Sequence, residues 1–456
     1  MPTAVGASFS AGKCNSRRVF RLPWHCCFRR AAIQPWASPV EQGTLPSTLI
    51  GSGLTMKNSL KGSVLLLALV LKPIAMGAGA ASGSAQAQLS SVDVRFYPDS
   101  IYSYPLDSVR GWYLALLQNS AVIWRGEQPL VLTGVELELL SGNDLLEVRP
   151  LTAPELAKIA ARGQRLAASG MLSAVKFQFD GEGLLPADVR LAKEATLAKG
   201  EALLVAQQLF AYRGDATAIR VRVRGSAGGS AVEGSGSISI RKAEGKTAFR
   251  FPLKGRWYIG AGASLHSHHR WGVPEEFALD IVKLGIDGAT YKGKGTRRSE
   301  YFAYGAPVLA AASGRVVVAV SDELETDADL RQPGEAADAY LARVTKSQGE
   351  RLARGSRGIA GNHVVIAHAE RQFSVYAHLK PGSLKVKVGD TVNAGQTVGQ
   401  LGTSGNSTEP HLHFHVCDQP DPLMCARIPI DFTNVELPGE LMPRLLQTGD
   451  IVVASD

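Results

Sequence analysis

The sequence predicts a mainly β protein: a C-terminal antiparallel β-sheet domain preceded by one or two small β-rich, sandwich-like domains. Three observations carry that expectation. Short apolar runs are punctuated throughout by turn residues, with 48 Gly and 23 Pro in 456 residues. Ala218 to Gly225 reads Ala-Ile-Arg-Val-Arg-Val-Arg-Gly, a strict two-residue period that buries one face of a strand. Nine of the ten histidines fall between His266 and His415, so the residues able to do chemistry crowd into the second half.

Composition narrows the class. Hydrophobic residues make up 45% of the chain and charged residues 20%, the profile of a folded globular protein. The net charge of +8 sits wholly in residues 1–87, which hold nine basic residues and one acidic one. The remainder carries 40 of each sign, so no electrostatic argument for a nucleic-acid partner survives.

Residues 1–55 have scattered Arg, Cys and Pro without periodicity and read as a non-native extension upstream of a start at Met56. Residues 56–87 have the layout of a secretory signal. Lys57 and Lys61 precede the apolar run Val64–Leu71, and small residues lead to a cleavage site after Ala87. A membrane span needs about 20 apolar residues, and Lys72-Pro73 ends this run early, so no stable span is expected after cleavage. The expected location is the bacterial envelope, periplasmic or secreted. Past the signal only Cys417 and Cys425 remain, and an exported chain favours a disulfide between them over two buried thiols.

Residues 88–255 form the N-terminal β-rich part. Ser237 to Ile240 and Phe249 to Phe251 continue the alternation, and Gly225 to Gly236 supplies a Gly/Ser-rich turn. One helix interrupts over Ala153–Ala168, with Pro154 in its first turn. This part has neither His nor Cys, so its role is scaffold, recognition module or docking site for a regulatory protein. Residues 256–435 form the second domain, with strands at Val316–Val320, His363–His368, Phe373–Leu379 and Thr397–Leu401. A surface helix is expected over Ala336–Arg354, and residues 436–456 read as a tail.

Within 256–435, Pro410-His411-Leu412-His413-Phe414 is the sharpest signal. In a strand, positions i and i+2 share a face, so His411 and His413 reach one point while Leu412 and Phe414 enter the core. Tyr376-Ala377-His378-Leu379 places another imidazole at a strand end. Phe277-Ala278-Leu279-Asp280-Ile281 puts a carboxylate in an apolar strand, costly to bury unless it is paired or ligates a metal. Just upstream stands His266-Ser267-His268-His269. One imidazole of that loop, Asp280 and a third ligand would leave an open position, the layout of a catalytic zinc site. His363 and His368 lie on an alternating strand and read as structural or groove-lining.

The ordered set extends further. It includes Tyr304-Gly305-Ala306-Pro307-Val308, Gly314-Arg315-Val316, Gly361-Asn362-His363-Val364, Val388-Gly389-Asp390-Thr391-Val392, Gly395-Gln396 and Gly402-Thr403-Ser404-Gly405. Together with the histidine motifs it resembles the lysostaphin/LytM-type zinc metallo-endopeptidases, which act on peptidoglycan peptides. The resemblance covers about Tyr258 to Thr433. It implies a zinc groove in the sheet, one zinc held by His269, Asp280 and His413, and a catalytic pair His378 and His411. It also implies hydrolysis of peptide bonds in cross-links or stem peptides by a zinc-activated water. The alternative within the same fold is a catalytically silent wall-binding protein or an activator of other wall hydrolases. Two features depart from the family pattern. His269 precedes Asp280 by eleven positions where four is usual, with His268 as second choice of ligand, and Glu409 and His415 replace residues that are more often Gly and Glu.

Overall fold

The computed structural model describes residues 91–456 apart from 108–109, 170–171, 173–177, 180–182, 243–246, 370, 441–443 and 456. The upstream extension and the signal segment lie outside the described residues. Among those described, no helix is long and apolar enough to cross a membrane.

The first sheet is built from β1 (Val92–Tyr97), β2 (Ser100–Asp107), β3 (Trp112–Trp124), β4 (Leu130–Ser141), β5 (Asp144–Leu151), β6 (Arg190–Leu191), β7 (Thr196–Leu197), β8 (Glu201–Arg213), β9 (Ala218–Ala227) and β10 (Ser230–Lys242). Helix α1 (Ala153–Ala168) starts where Thr152 and Glu155 form a capping box. The strand order is β5-β4-β9-β10-β2-β3-β8-β6, with β1 on β3 and β7 on β4. Leu137, Val221 and Ile238 from one half share a core with Leu117, Val205 and Phe210 from the other, while Ala121, Ile123, Leu191 and Ala202 form a second, smaller cluster. The alternating segment behaves as its period dictates. Ile219, Val221 and Val223 are buried, while Arg220 and Arg224 pair with Glu138 and Glu136 across the outer face.

Two local expectations give way. The Gly/Ser-rich stretch turns only at Gly228-Gly229; β10 begins at Ser230 and pairs with β9 along ten positions. Ladder hydrogen bonds to a strongly patterned neighbour outweigh the weak strand propensity of Gly and Ser. Phe249 and Phe251 add no strand to the first sheet and bury instead in the second core.

The second sheet has nine strands in the order β17-β14-β15-β16-β19-β12-β11-β21-β20. They are β11 (Gly255–Ala261), β12 (Leu279–Val282), β14 (Gly314–Val320), β15 (Asn362–Ala367), β16 (Phe373–Leu379), β17 (Thr391–Val392), β19 (Leu412–Cys417), β20 (Val435–Glu436) and β21 (Ile451–Ala454). Every pairing in it is antiparallel. A separate ladder joins β13 (Pro307–Leu309) to β18 (Thr397–Gln400). The surface insertion forms α2 (Ala337–Leu352) and a short α3 (Gly355–Ala360), and α2 buries none of its residues. Residues 436–456, read from sequence as a tail, return into this sheet, since β21 pairs with β11 from Gly255↔Ala454 to Tyr258↔Ile451. Cys417 and Cys425 are disulfide-bonded.

Candidate metal centre

Three neighbouring strands, β16, β19 and β12, build the site. Asp280 and His413, far apart in sequence, are direct cross-strand partners, and Ala377 faces His413 from the other side. Side chains on directly opposed residues start about 5 Å apart, and here His413 Nδ1 lies 2.9 Å from Asp280 Oδ1. Alternation sends Leu412 and Phe414 into the core below.

His269 reaches the same carboxylate from the preceding loop, its Nε2 3.3 Å from Asp280 Oδ2. Its Nδ1 faces the Ala278 carbonyl at 3.1 Å. A donor at Nδ1 leaves Nε2 with its lone pair toward the site, the usual support for a ligating histidine. His268 instead falls with His269 and Glu275 in a neighbouring cluster. One ring nitrogen each of His269 and His413 and an Asp280 oxygen all lie within 4.8 Å of one another. Two imidazoles and one carboxylate, each with an aimed donor atom, suit a borderline-soft divalent ion such as zinc.

His378 and His411 flank this set. The His378 Nδ1 donates to the Ser404 carbonyl at 2.8 Å, and the His411 Nδ1 donates to the Glu409 carbonyl at 2.8 Å. Their rings are 4.7 Å apart, and His378 lies 5.8 Å from the His413 ring. His411 Nε2 is 3.4 Å from Asp280 Oδ1. A second donor set, His378 with His411 and His413, therefore overlaps the first.

Charge is distributed unequally. Burial, reinforced by His411 and His413, pushes His378 well below the ordinary histidine range, so its ring is neutral. Burial also opposes charge on His269, but Asp280 overrides it and raises this group to about 9. His411 is raised in the same way, against its burial, by Asp280. Asp280 itself is held well below the carboxylate range: burial opposes this, and the His269 and His411 rings prevail. Burial lowers His413 despite its hydrogen bond to Asp280.

The strand end at His378 is conformationally special. Its φ is +61°, in the left-handed region that a side chain with a Cβ enters at a cost of about 1–3 kcal/mol. What holds it there was not read from sequence. Gly361 and Gly405 meet back to back, and a Cβ on Gly361 would lie 2.4 Å from the Ser404 carbonyl carbon. Ser404 Oγ donates to the Leu379 carbonyl at 2.7 Å and accepts from Asn362 N–H at 2.9 Å. Asn362 Nδ2 donates to the carbonyls of Leu379 and Glu323. The Gly-Asn and Ser-Gly pairs in the sequence were the available signal, since two glycines permit the approach that fixes the Ser404 carbonyl under His378.

The remaining histidines divide. His363 is tied to the Gly361 carbonyl and His368 to Ser313 and Ser374. His415 packs edge-on against His413 at 5.2 Å, and neither of its ring nitrogens has a protein partner. Glu409 is half-buried, and its carboxylate accepts from Thr290 Oγ1 at 2.7 Å.

Residues 300–424 match the sequence profile of Peptidase family M23. The peptidoglycan DD-endopeptidase ShyA of Vibrio cholerae is 40% identical over 73 residues, 16% of this chain and 16% of that protein. The DD-carboxypeptidase/endopeptidase Mpg of Neisseria meningitidis is 33% identical over 105 residues, 22% of this chain and 21% of the relative. The chain thus spans only about a fifth or less of these relatives. Among solved structures, the catalytic domain of lysostaphin from Staphylococcus simulans aligns at 20% identity over 38% of this chain and 88% of that one, with a TM-score of 0.21.

Proposed function

We propose, for a chain that carries a peptidase M23 domain, that it is an exported, zinc-dependent endopeptidase hydrolysing peptide bonds in peptidoglycan cross-links or stem peptides. One observation carries the reading: His269 Nε2, the Asp280 carboxylate and His413 Nδ1 converge on one point, with two further oriented imidazoles beside it. His269, Asp280 and His413 would hold one zinc. Bound there, the ion would activate water for attack and polarise the scissile carbonyl.

The chain's own groups divide the remaining work. His378 is neutral and donates from Nδ1, so its Nε2 offers a lone pair and can take the proton of an attacking water. His411 also donates from Nδ1, and Asp280 favours its charged form, so its Nε2–H can hold the developing oxyanion. The Ser404 and Glu409 carbonyls fix these tautomers. The signal-like segment 56–87 supports delivery to the periplasm or the exterior, where peptidoglycan lies.

The test is to purify residues 88–456, quantify bound zinc and incubate with purified peptidoglycan. Zinc near one per chain with soluble muropeptides released supports the reading. A chain without zinc affinity refutes it.

A further inference from the structure

We propose that the N-terminal sheet is an integral support of the metal site, acting through a buried latch in which Gln118, Arg270 and Glu276 are positioning residues for His269 and Asp280. This rests on the reading above that those two residues ligate the metal. The stretch 270–279 joins these two residues; five of its backbone N–H groups bond locally, and four of its polar groups reach the N-terminal part. Gln207 Nε2, on β8, donates to the Trp271 carbonyl at 3.0 Å. The Val273 N–H donates to Gln178 Oε1 at 2.9 Å.

The two ends of this strap are clasped. Arg270 Nη1 donates to Glu276 Oε1 at 2.6 Å. Gln118 Nε2, in the middle of β3, reaches both ends, at 3.1 Å from Glu276 Oε2 and 3.3 Å from the Arg270 carbonyl. Arg270 is 0% exposed, and its guanidinium lies over the rings of Tyr104 from β2 and Phe277 from the strap, at 4.6 and 4.8 Å. Gln118 follows the buried Leu116 and Leu117 on β3 and opens a short buried polar run with Asn119 and Ser120.

Plain packing does not call for this chemistry. Apolar residues of similar volume generally fill such a space at no loss of stability. A charged pair read by one amide demands a single geometry instead. His269 adjoins one end of the clasp and Asp280 follows the other by four residues, so the clasp fixes where both donor atoms start. The N-terminal part thereby helps to assemble the donor set.

The test uses the chain 88–456. Gln118→Met preserves volume and removes the shared amide; Glu276→Gln preserves shape and removes the charge. Zinc affinity is measured by competition with a chromophoric chelator, the visible spectrum of the cobalt-substituted protein is recorded, and apoprotein melting is followed in parallel. Partners that orient ligands typically contribute 10–100-fold in metal affinity. The expected result is a loss of that size, with an altered cobalt spectrum, in a variant that still folds, its apoprotein melting lower by the cost of the groups left unpaired. Should Gln118→Met not fold, Glu276→Gln is read the same way. Wild-type affinity and spectrum in a folded variant overturn the proposal. A wild-type chain that binds neither ion removes the underlying assignment of ligands instead.

Discussion

Replacing His378 by alanine separates the two overlapping donor sets. If His269, Asp280 and His413 hold the metal, His378 touches only the reacting atoms, and His378→Ala should keep its zinc. The ring it loses is neutral, anchored through Nδ1 to the Ser404 carbonyl at 2.8 Å, and directs Nε2 toward the site. A positioned general base contributes about 10²–10⁴ in rate, or roughly 2.7–5.5 kcal/mol of barrier. At a φ of +61° alanine carries a Cβ as histidine does, so any added backbone strain is read from the melt. The assay is muropeptide release from purified peptidoglycan, with zinc counted in the same sample and melting recorded to confirm folding. The expected outcome is kcat down by about two to four orders of magnitude with zinc unchanged. Zinc lost from His378→Ala but retained by Asp280→Ala would place the metal among His378, His411 and His413 and refute the assignment. Undiminished turnover would refute the role of base.

Three further outcomes follow from named contacts. Asp280→Ala should lose both zinc and activity, and between the metal-free proteins the His269 ring, held at about 9 by that carboxylate against its burial, should titrate lower by NMR in the variant. Tyr376→Phe should cost about 1–3 kcal/mol in denaturant melts, because the buried Tyr376 Oη accepts from the Ala311 N–H at 2.6 Å and phenylalanine leaves that donor unpaired; an unchanged midpoint would contradict this. Burial lowers the pKa of His363, although the Gly361 carbonyl pulls the other way. The unfolded chain therefore binds more protons once pH drops below about 6.5. The contribution is complete above that pH and is lost below it, at up to about 1.4 kcal/mol per pH unit. His363→Asn should flatten that slope, and identical profiles for the two proteins would count against it.

Much of this arrangement was legible because period two is a local rule. Alternation at 411–415 states which imidazoles share a face, and an aspartate inside Phe277–Ile281 is costly without a partner, whatever the fold. Strand pairing is not local. Nothing between residues 280 and 413 states that they stand opposite each other; that follows from the β16-β19-β12 order, which closes only when the sheet is complete. For the same reason β21 was read as a tail: four residues isolated from their partner β11 by most of the domain carry no pattern of their own. The support under His378 was hidden differently. Ser404, Asn362 and the two glycines act through backbone groups, and a side-chain inventory passes over a carbonyl.

The stretched loop between His269 and Asp280 shows why spacing in sequence is a weak proxy for spacing in a site. Eleven positions separate His269 from Asp280, yet their facing atoms are 3.3 Å apart. An insertion is compatible with a rigid donor set only if its ends are brought back to a fixed separation, and the extra closure entropy grows slowly with length. Arg270 and Glu276 provide that closure within the strap, and Gln118 ties it to β3. In the support proposed for His269, the longer loop acts together with the β3 and β8 residues that bind it. A chain that lengthened this connection without an adjoining sheet to anchor it would leave His269 on a mobile strap. Deleting 270–276 to restore short spacing here would remove the residues through which β3 and β8 hold the strap, and zinc affinity should fall with it.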